Sequence, residues 1–225
     1  AIVSNKKIKY KNNNVPFVLV KNVREKLTQA SSNFYKNKPK NIVAVTGTNG
    51  KSSVADFFYQ ILSLNKIPVA SIGTLGINSK KYKRKTDLTS LDPLTLHKSL
   101  DILAKNNINN VILEASSHGL EQRRLDHLDI KTGIFTNLSH DHLDYHQNIK
   151  SYFDSKMYLF KKLLTKKSKI ISDEEIKEFT IIKNISNRRK IKKITIGKST
   201  GDIKIVKNKY KGKNQIVKIL CGSKF

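Results

Sequence analysis

The sequence predicts an α/β fold, a parallel sheet flanked by helices, with a small β-rich extension near the C-terminus. Three observations lead there. From residue 41 onward short apolar runs alternate with stretches of helical periodicity, the pattern of strands joined by crossover helices. The first of those strands, within residues 42–53 (IVAVTGTNGKSS), breaks into a glycine-rich turn that ends in Lys51-Ser52 at the head of a helix. Finally, Ser52, Glu114 and Asn137 each follow the carboxyl end of an apolar run, the edge at which open parallel sheets bind ligands.

Taken in order, the first 38 residues hold a strand-like stretch at 15–20 and a helix-like stretch at 23–35, where Val23, Leu27, Ala30 and Phe34 fall near helical spacing. That is too little for a core of its own. Residues 1–38 are therefore expected to be the end of a preceding domain, with 36–40 as its linker, and 39–225 the main domain. The helix after the glycine turn is expected to bury Val54, Phe57, Phe58, Ile61 and Leu62 and to stop before Pro68. Residues 69–72 make a second strand. Asp92-Pro93 is a helix start, a capping side chain followed by proline in the first turn, and Leu96, Leu100 and Leu103 continue its buried face. Strands are expected at 111–113, ending at Glu114, and at 133–136, ending at Asn137. Ser151 is expected to cap a helix carrying Phe153, Met157, Phe160 and Leu164. Four further strand-like runs follow at 169–172, 193–196, 203–206 and 216–220, the last two flanking a Lys/Gly/Asn turn as in a hairpin.

Composition excludes several classes. The single cysteine, Cys221, rules out an internal disulfide framework and a cysteine-based metal site. Without a long apolar run or a secretory apolar stretch, a soluble cytoplasmic protein with no membrane partner is expected. The chain has 225 residues and a net charge of +27, from 44 Lys+Arg against 17 Asp+Glu. The excess is lysine scattered along the chain, without zinc-finger spacing, a basic heptad helix or an aromatic RNA-binding motif. It reads as solvated surface charge, with long-range steering of anions as its one general effect.

The glycine turn carries the clearest chemistry. Successive backbone N–H groups there can point at one anion, Gly47 and Gly50 permit close approach, and the next helix aims its positive end at the same spot. Lys51 would pair with outer phosphates and the Ser52 hydroxyl with Mg2+. The common G-x-x-x-x-G-K-[ST] pattern asks for glycine where this chain has Val45, so the turn is the shorter T-G-T-N-G-K-S variant. Glu114, at the end of a buried strand, needs either a metal or an arginine partner. The run from Phe135 (FTNLSHDHLDYH) gathers His140, His142 and His146 without a standard zinc spacing, and one metal-facing histidine beside oxygen ligands is the more economical reading. Lys156 lies one turn after Tyr152 and shares its helix face.

Four ordered segments, TGTNGKSS, LTSLDPL, EASSHGLEQRRL and FTNLSHDHLDYH, with a lysine in the helix behind them, closely resemble the Mur ligases. Within that family they are similar to the MurE type, which adds the third, usually diamino, residue to UDP-N-acetylmuramoyl-dipeptide. The resemblance covers residues 15–164 and is thin afterwards. It implies a P-loop-type ATPase domain in which Gly47, Thr48, Asn49, Gly50, Lys51, Ser52 and Ser53 bind ATP. It implies Mg2+ on Ser52 and Glu114 with His142 as a further ligand, and Lys156 as a carbamate supporting a second ion. Lys51, Glu114, His142 and Lys156 form the implied catalytic set. Thr89, Ser90, Ser116, Gln122 and Arg124 would hold the UDP-sugar-peptide, although Leu88 stands where family members carry asparagine. The implied reaction is phosphorylation of the substrate's terminal carboxylate by ATP, then attack of the incoming amine on the acyl phosphate. By the same resemblance, residues 1–38 would end a UDP-binding domain, 39–225 would be the central domain, and the amino-acid-binding third domain would be absent. A monomeric fragment that binds nucleotide weakly and does not complete ligation is expected. The alternatives are a folylpolyglutamate or cyanophycin synthetase-like ligase, against which Ser52 and the SSHGLEQRRL and DHLDYH segments speak, and a non-catalytic basic nucleic-acid-binding protein.

Overall fold

The computed structural model describes residues 1–8, 14–141, 143–198 and 200–222. A small parallel pair, β1 (Ile2–Ser4) and β2 (Phe17–Leu19), precedes helix α1 (Val23–Phe34). The body is a nine-stranded sheet made of β3 (Asn41–Thr46), β4 (Val69–Gly73), β5 (Gly76–Ser79), β6 (Asn110–Glu114), β7 (Ile130–Phe135), β8 (Lys169–Asp173), β9 (Lys192–Gly197), β10 (Ile203–Lys211) and β11 (Asn214–Cys221). Its order is β11-β10-β9-β8-β7-β3-β6-β4-β5. Only the two edge pairings, β4 with β5 and β10 with β11, are antiparallel. The alternation read from the sequence is therefore a parallel sheet, and its strand order reverses at β3, flanked by β6 and β7. That switch point sits where the glycine turn leaves the sheet.

Helices α3 (Pro93–Lys105), α4 (Ser117–Glu121), α6 (Ile149–Tyr158) and α7 (Phe179–Arg189) bury Leu96, Leu100, Leu103, Leu120, Met157 and Ile182 with Ile42, Ala44, Val111 and Ile170 of the sheet. The other face carries α2 (Lys51–Leu64), whose Ala55 packs with Val45 and Ile112. A short α5 (Leu143–His146) precedes α6, and a π-helical turn, Leu159–Leu163, continues it. Arg189 donates to Phe160 O and Leu164 O at 2.5 and 2.7 Å, satisfying carbonyls that the π turn leaves free. Among the described residues no helix is long and apolar enough to cross a membrane.

Several elements differ from the sequence expectation. The apolar stripe of α1 faces outward, with Leu27 50% and Phe34 78% exposed. The helix attaches instead by its short hydroxyls: Thr28 is fully buried and donates to Arg123 O at 2.9 Å. In α2, Phe57 and Ile61 are also exposed, at 61% and 58%, because the small Ala55 lets the helix lie close to the sheet and turns those residues aside. The cap of α6 is Asn148, not Ser151: the Asn148 side chain accepts from Ser151 N at 2.8 Å. Residues 36–40 are pinned, since Asn37 donates twice to Asp101 Oδ1. Helix α7 was not anticipated because only Ile182 and Ser186 of its residues are buried, and β5 because it is four residues long.

The terminal hairpin has two unlike faces. Cross-strand partners share a face, and a bulge between Ile205 and Lys207 resets the alternation. Ile203, Ile205, Asn208 and Tyr210 thus align with Cys221, Ile219, Val217 and Gln215 on an uncharged face. Lys204, Lys207, Lys209, Lys211 and Lys218 share the opposite one.

Candidate nucleotide-binding site

The turn between β3 and α2 opens on a cleft of about 340 Å3 lined by residues 48–53, Thr74, Thr89, Glu114, Ser116, Ser117 and Lys156. Its shape depends on glycine at two points. Gly47 has φ of 143° and Gly50 φ of 83°, and a Cβ on Gly47 would lie 1.9 Å from Thr136 Oγ1. Residues after β7 brace the turn from below. Thr48 N donates to Asn137 O at 2.9 Å, Asn49 N to Asn137 Oδ1 at 3.0 Å, and Thr136 Oγ1 to Asn49 O at 2.7 Å.

Glu114 closes the cleft floor. It is 3% exposed and accepts from Ser52 Oγ on Oε2 at 2.8 Å, from Thr74 N on Oε1 at 2.8 Å and from Thr74 Oγ1 on Oε2 at 3.2 Å. Gly73 makes this possible, because a Cβ there would stand 2.0 Å from Glu114 Oε1. The partner of this buried carboxylate is thus a set of hydroxyl and amide donors, and no arginine forms a salt bridge with it among the described residues. Thr74 Oγ1 also meets Thr89 Oγ1 at 3.1 Å.

Two lysines share one carbonyl. Lys51 Nζ donates to Gly47 O at 3.1 Å and Thr48 O at 2.7 Å, and Lys156 Nζ donates to Gly47 O at 2.7 Å. Burial lowers the Lys51 ammonium pKa, with Glu114 and Asp141 opposing. Lys156 is 1% exposed, and burial, then repulsion from Lys51, lowers its pKa to about 7 against the pull of Asp141. Its amine is therefore substantially neutral near physiological pH, the form that reacts with carbon dioxide. Its Nζ lies over the Tyr152 ring, 4.2 Å from the centroid.

A second group lies beside the cleft. Ser90 is buried and bridges two elements, donating to Glu114 O at 2.7 Å and accepting from Ser116 N at 2.8 Å. Ser116 caps α4 by accepting from Gly119 N at 3.0 Å. Arg124 donates to Ser90 O and, through Nε and Nη2, to Gln122 Oε1, while Gln122 donates to Tyr145 OH. Gln122 and Arg124 thereby form one hydrogen-bonded polar unit.

Comparison with known proteins gives this arrangement its family. The Mur ligase middle domain matches residues 45–224. This chain belongs to the Mur ligase family. It is 38% identical over 218 residues to the UDP-N-acetylmuramoyl-L-alanyl-D-glutamate–2,6-diaminopimelate ligase of Rickettsia bellii, covering 95% of this chain and 46% of that protein. The ligase of the same description from Brucella melitensis is 44% identical over 166 residues, or 74% of this chain and 34% of its own. A solved structure of a ligase so described superposes with a TM-score of 0.84 at 27% identity, covering 99% of this chain and 45% of that one. The chain thus spans between a third and a half of the length of these relatives.

Of the residues singled out in the sequence of this Mur ligase chain, those at 47–53, Thr89, Glu114, Ser116 and Lys156 come together at or around one cleft. Ser90, Gln122 and Arg124 stand behind its rim, with the Ser90 hydroxyl committed internally. His142 lies outside the described residues. His146 is buried, 3.4 Å by Nδ1 from Glu121 Oε2, with its ring against Tyr152. Sequence reasoning missed Gly73 and Thr74, which shape and hold Glu114, and Thr136 and Ser139, which brace the turn. The only signal in the sequence was Gly73-Thr74 at the end of an apolar run; its place beside Glu114 follows from the pairing of β4 with β6.

Proposed function

We propose that this chain forms the ATP-binding part of a ligase that joins an amino acid, a diamino acid by its relatives' description, to UDP-N-acetylmuramoyl-L-alanyl-D-glutamate. The observation that carries the reading is the meeting of the Ser52 hydroxyl with Glu114 at the mouth of a glycine turn flanked by Lys51 and Lys156. Residues 39–225 are proposed as the central nucleotide-binding domain and 1–38 as the end of the domain before it.

The residues present fit magnesium. Ser52 and Glu114 offer oxygen donors alone, and among the described residues no group of three or more His, Cys, Asp or Glu could hold a metal by itself. Mg2+ commonly takes one or two protein oxygens and completes its shell with phosphate and water. Bound there it would neutralise phosphate charge; Ser52 and Glu114 would hold it, with His142 proposed from the resemblance alone, and Lys156 as a carbamate would support a second ion.

The chain's own groups do the rest. The amides of Thr48 and Asn49 are given to Asn137 and hold the turn in shape, which leaves those of Gly50 and Lys51, at the head of α2, to meet the phosphates; Lys51, released from Gly47 O and Thr48 O, follows the charge that passes to the transferred phosphoryl group. Thr89, Ser116, Gln122 and Arg124 are proposed to hold the peptide substrate so that its terminal carboxylate lies in line with that phosphoryl group. Its oxygen attacks phosphorus, ADP leaves, and the amine then attacks the acyl phosphate carbon, expelling phosphate. Lys156 reaches the carbamate state by attack of its neutral amine on carbon dioxide, with loss of one proton.

The test is equilibrium binding of a fluorescent ATP analogue with and without Mg2+ to wild type, Lys51→Ala and Glu114→Ala. Binding that weakens at least tenfold in Lys51→Ala and loses its Mg2+ dependence in Glu114→Ala supports the reading. Salt-sensitive retention on DNA without any nucleotide effect would replace it with the nucleic-acid-binding alternative.

A further inference from the structure

We infer that Tyr152 is a positioning residue for the phosphate turn, acting through the Thr48 hydroxyl. The inference rests on the nucleotide-binding reading above and adds a residue that the reading does not use.

A threonine hydroxyl has one proton to give and two lone pairs. Thr48 Oγ1 spends all three inside the protein: it donates to Ser139 O at 3.3 Å and accepts from Ser139 N at 3.0 Å and from Tyr152 OH at 3.2 Å. Nothing of this side chain is left for a phosphate. The backbone N–H of Thr48 is likewise given to Asn137 O at 2.9 Å, so Thr48 acts by shaping the turn, and its hydroxyl is an anchor that fixes where that backbone lies. Tyr152 supplies one of the three bonds and is itself fully buried. It stands one helical turn before Lys156 on α6, and the Lys156 Nζ lies over its ring, 4.2 Å from the centroid. The Tyr152 ring also meets His146, at 5.3 Å between ring centroids. One side chain thus ties the glycine turn to the helix that bears Lys156, although the two are more than a hundred residues apart in sequence. Loss of the hydroxyl alone frees the turn while the ring still seats Lys156.

Tyr152→Phe isolates that hydroxyl. Affinity for the fluorescent ATP analogue with Mg2+ should fall about five- to tenfold in this variant. Thr48→Val, which removes the Ser139 bonds as well, should cost more. On the Thr48→Val background, Tyr152→Phe should add less than about twofold, since the group it acts through is gone. A merely structural tyrosine would instead give multiplying losses. A second readout needs no nucleotide: amide exchange at Thr48 and Asn49 should speed at least fivefold in Tyr152→Phe while the amides of β3 are unchanged. Unchanged affinity, multiplying losses, or exchange that rises equally in β3 would each overturn the inference. Failure of wild type to bind the nucleotide, with the exchange result as expected, would sink the nucleotide reading and leave Tyr152 as the anchor of the turn.

Discussion

Gly73→Ala tests how the floor of the cleft is built. The new methyl would lie 2.0 Å from Glu114 Oε1 and 2.5 Å from Cδ and Cγ, so the carboxylate must leave its seat. It would give up the two short bonds, from Thr74 N and Ser52 Oγ, both at 2.8 Å. Hydrogen bonds to a charged group contribute about 1.5–3 kcal/mol each, which sets a loss of about 3–6 kcal/mol. The cleft admits water, which rehydrates part of the displaced charge, leaving a destabilisation of about 2–4 kcal/mol. Gly73 has no positive φ, so without the clash alanine should be neutral or stabilise by up to about 1 kcal/mol through the unfolded chain. The sign should therefore reverse on a Glu114→Ala background. Urea unfolding of wild type, the two single variants and the double variant, compared at equal m, measures both numbers. A Gly73→Ala cost below about 1 kcal/mol in the wild-type chain, or an undiminished cost in Glu114→Ala, would refute the packing argument.

Lys156→Met should stabilise the chain most at acid pH. The folded pKa of about 7 lies below the ordinary 10.5, so below pH 7 the folded state bears a buried charge and above it sheds the proton. The unfolded chain binds more protons between the two values, and wild-type stability contributed by this group rises with pH across that window. The methionine variant should thus gain about 2–4 kcal/mol at pH 6 and little at pH 10, read by urea midpoints; an equal gain at both would contradict it. Labelled carbon dioxide should likewise give a carbamate carbon signal that grows from pH 6 to pH 8 in wild type and is missing from Lys156→Met. For the helix cap, Asn148→Ala should cost about 1 kcal/mol and Ser151→Ala within about 0.5 kcal/mol, a reversal of the order the sequence suggests.

Much of this fold was legible because its strands are short apolar runs with polar ends. Residues 42–46, 69–72, 111–113 and 169–172 all lie within strands, and the Asp92-Pro93 start holds, with Asp92 accepting from Thr95 N at 3.0 Å. What escaped was orientation. Phe57, Ile61, Leu27 and Phe34 satisfy helical spacing and still face away from the core, since spacing shows that residues share a stripe without saying what the stripe meets. Two small residues decide those helices instead: Ala55 brings α2 onto Val45 and Ile112, and Thr28 bonds α1 to Arg123 O. At the site, the turn and Glu114 were visible as motifs, and their supports were not. Gly73 matters through a space that only coordinates reveal, and the Asn148 side chain outbids Ser151 because it precedes the first turn of α6 by the right distance to reach Ser151 N.

The charge of the chain and the charge of the site turn out to be separate matters. Of the twelve residues lining the cleft, only Lys51, Lys156 and Glu114 are ionisable, so its local balance is close to one positive charge at most, against +27 for the chain. Five of the surplus lysines lie together on one face of the β10–β11 hairpin, at the far edge of the sheet from β4 and β5. A lysine excess placed there raises the potential around the molecule without shaping the pocket. Salt should therefore slow the arrival of an anionic nucleotide while leaving its dissociation nearly unchanged, because the groups proposed to retain it are turn amides and the half-buried Lys51 inside the cleft. Stopped-flow rates of the ATP analogue between low and high ionic strength separate the two. If dissociation rather than association carried the salt dependence, the retaining charges would have to lie on the exposed surface, and the cleft described here would not be the binding site.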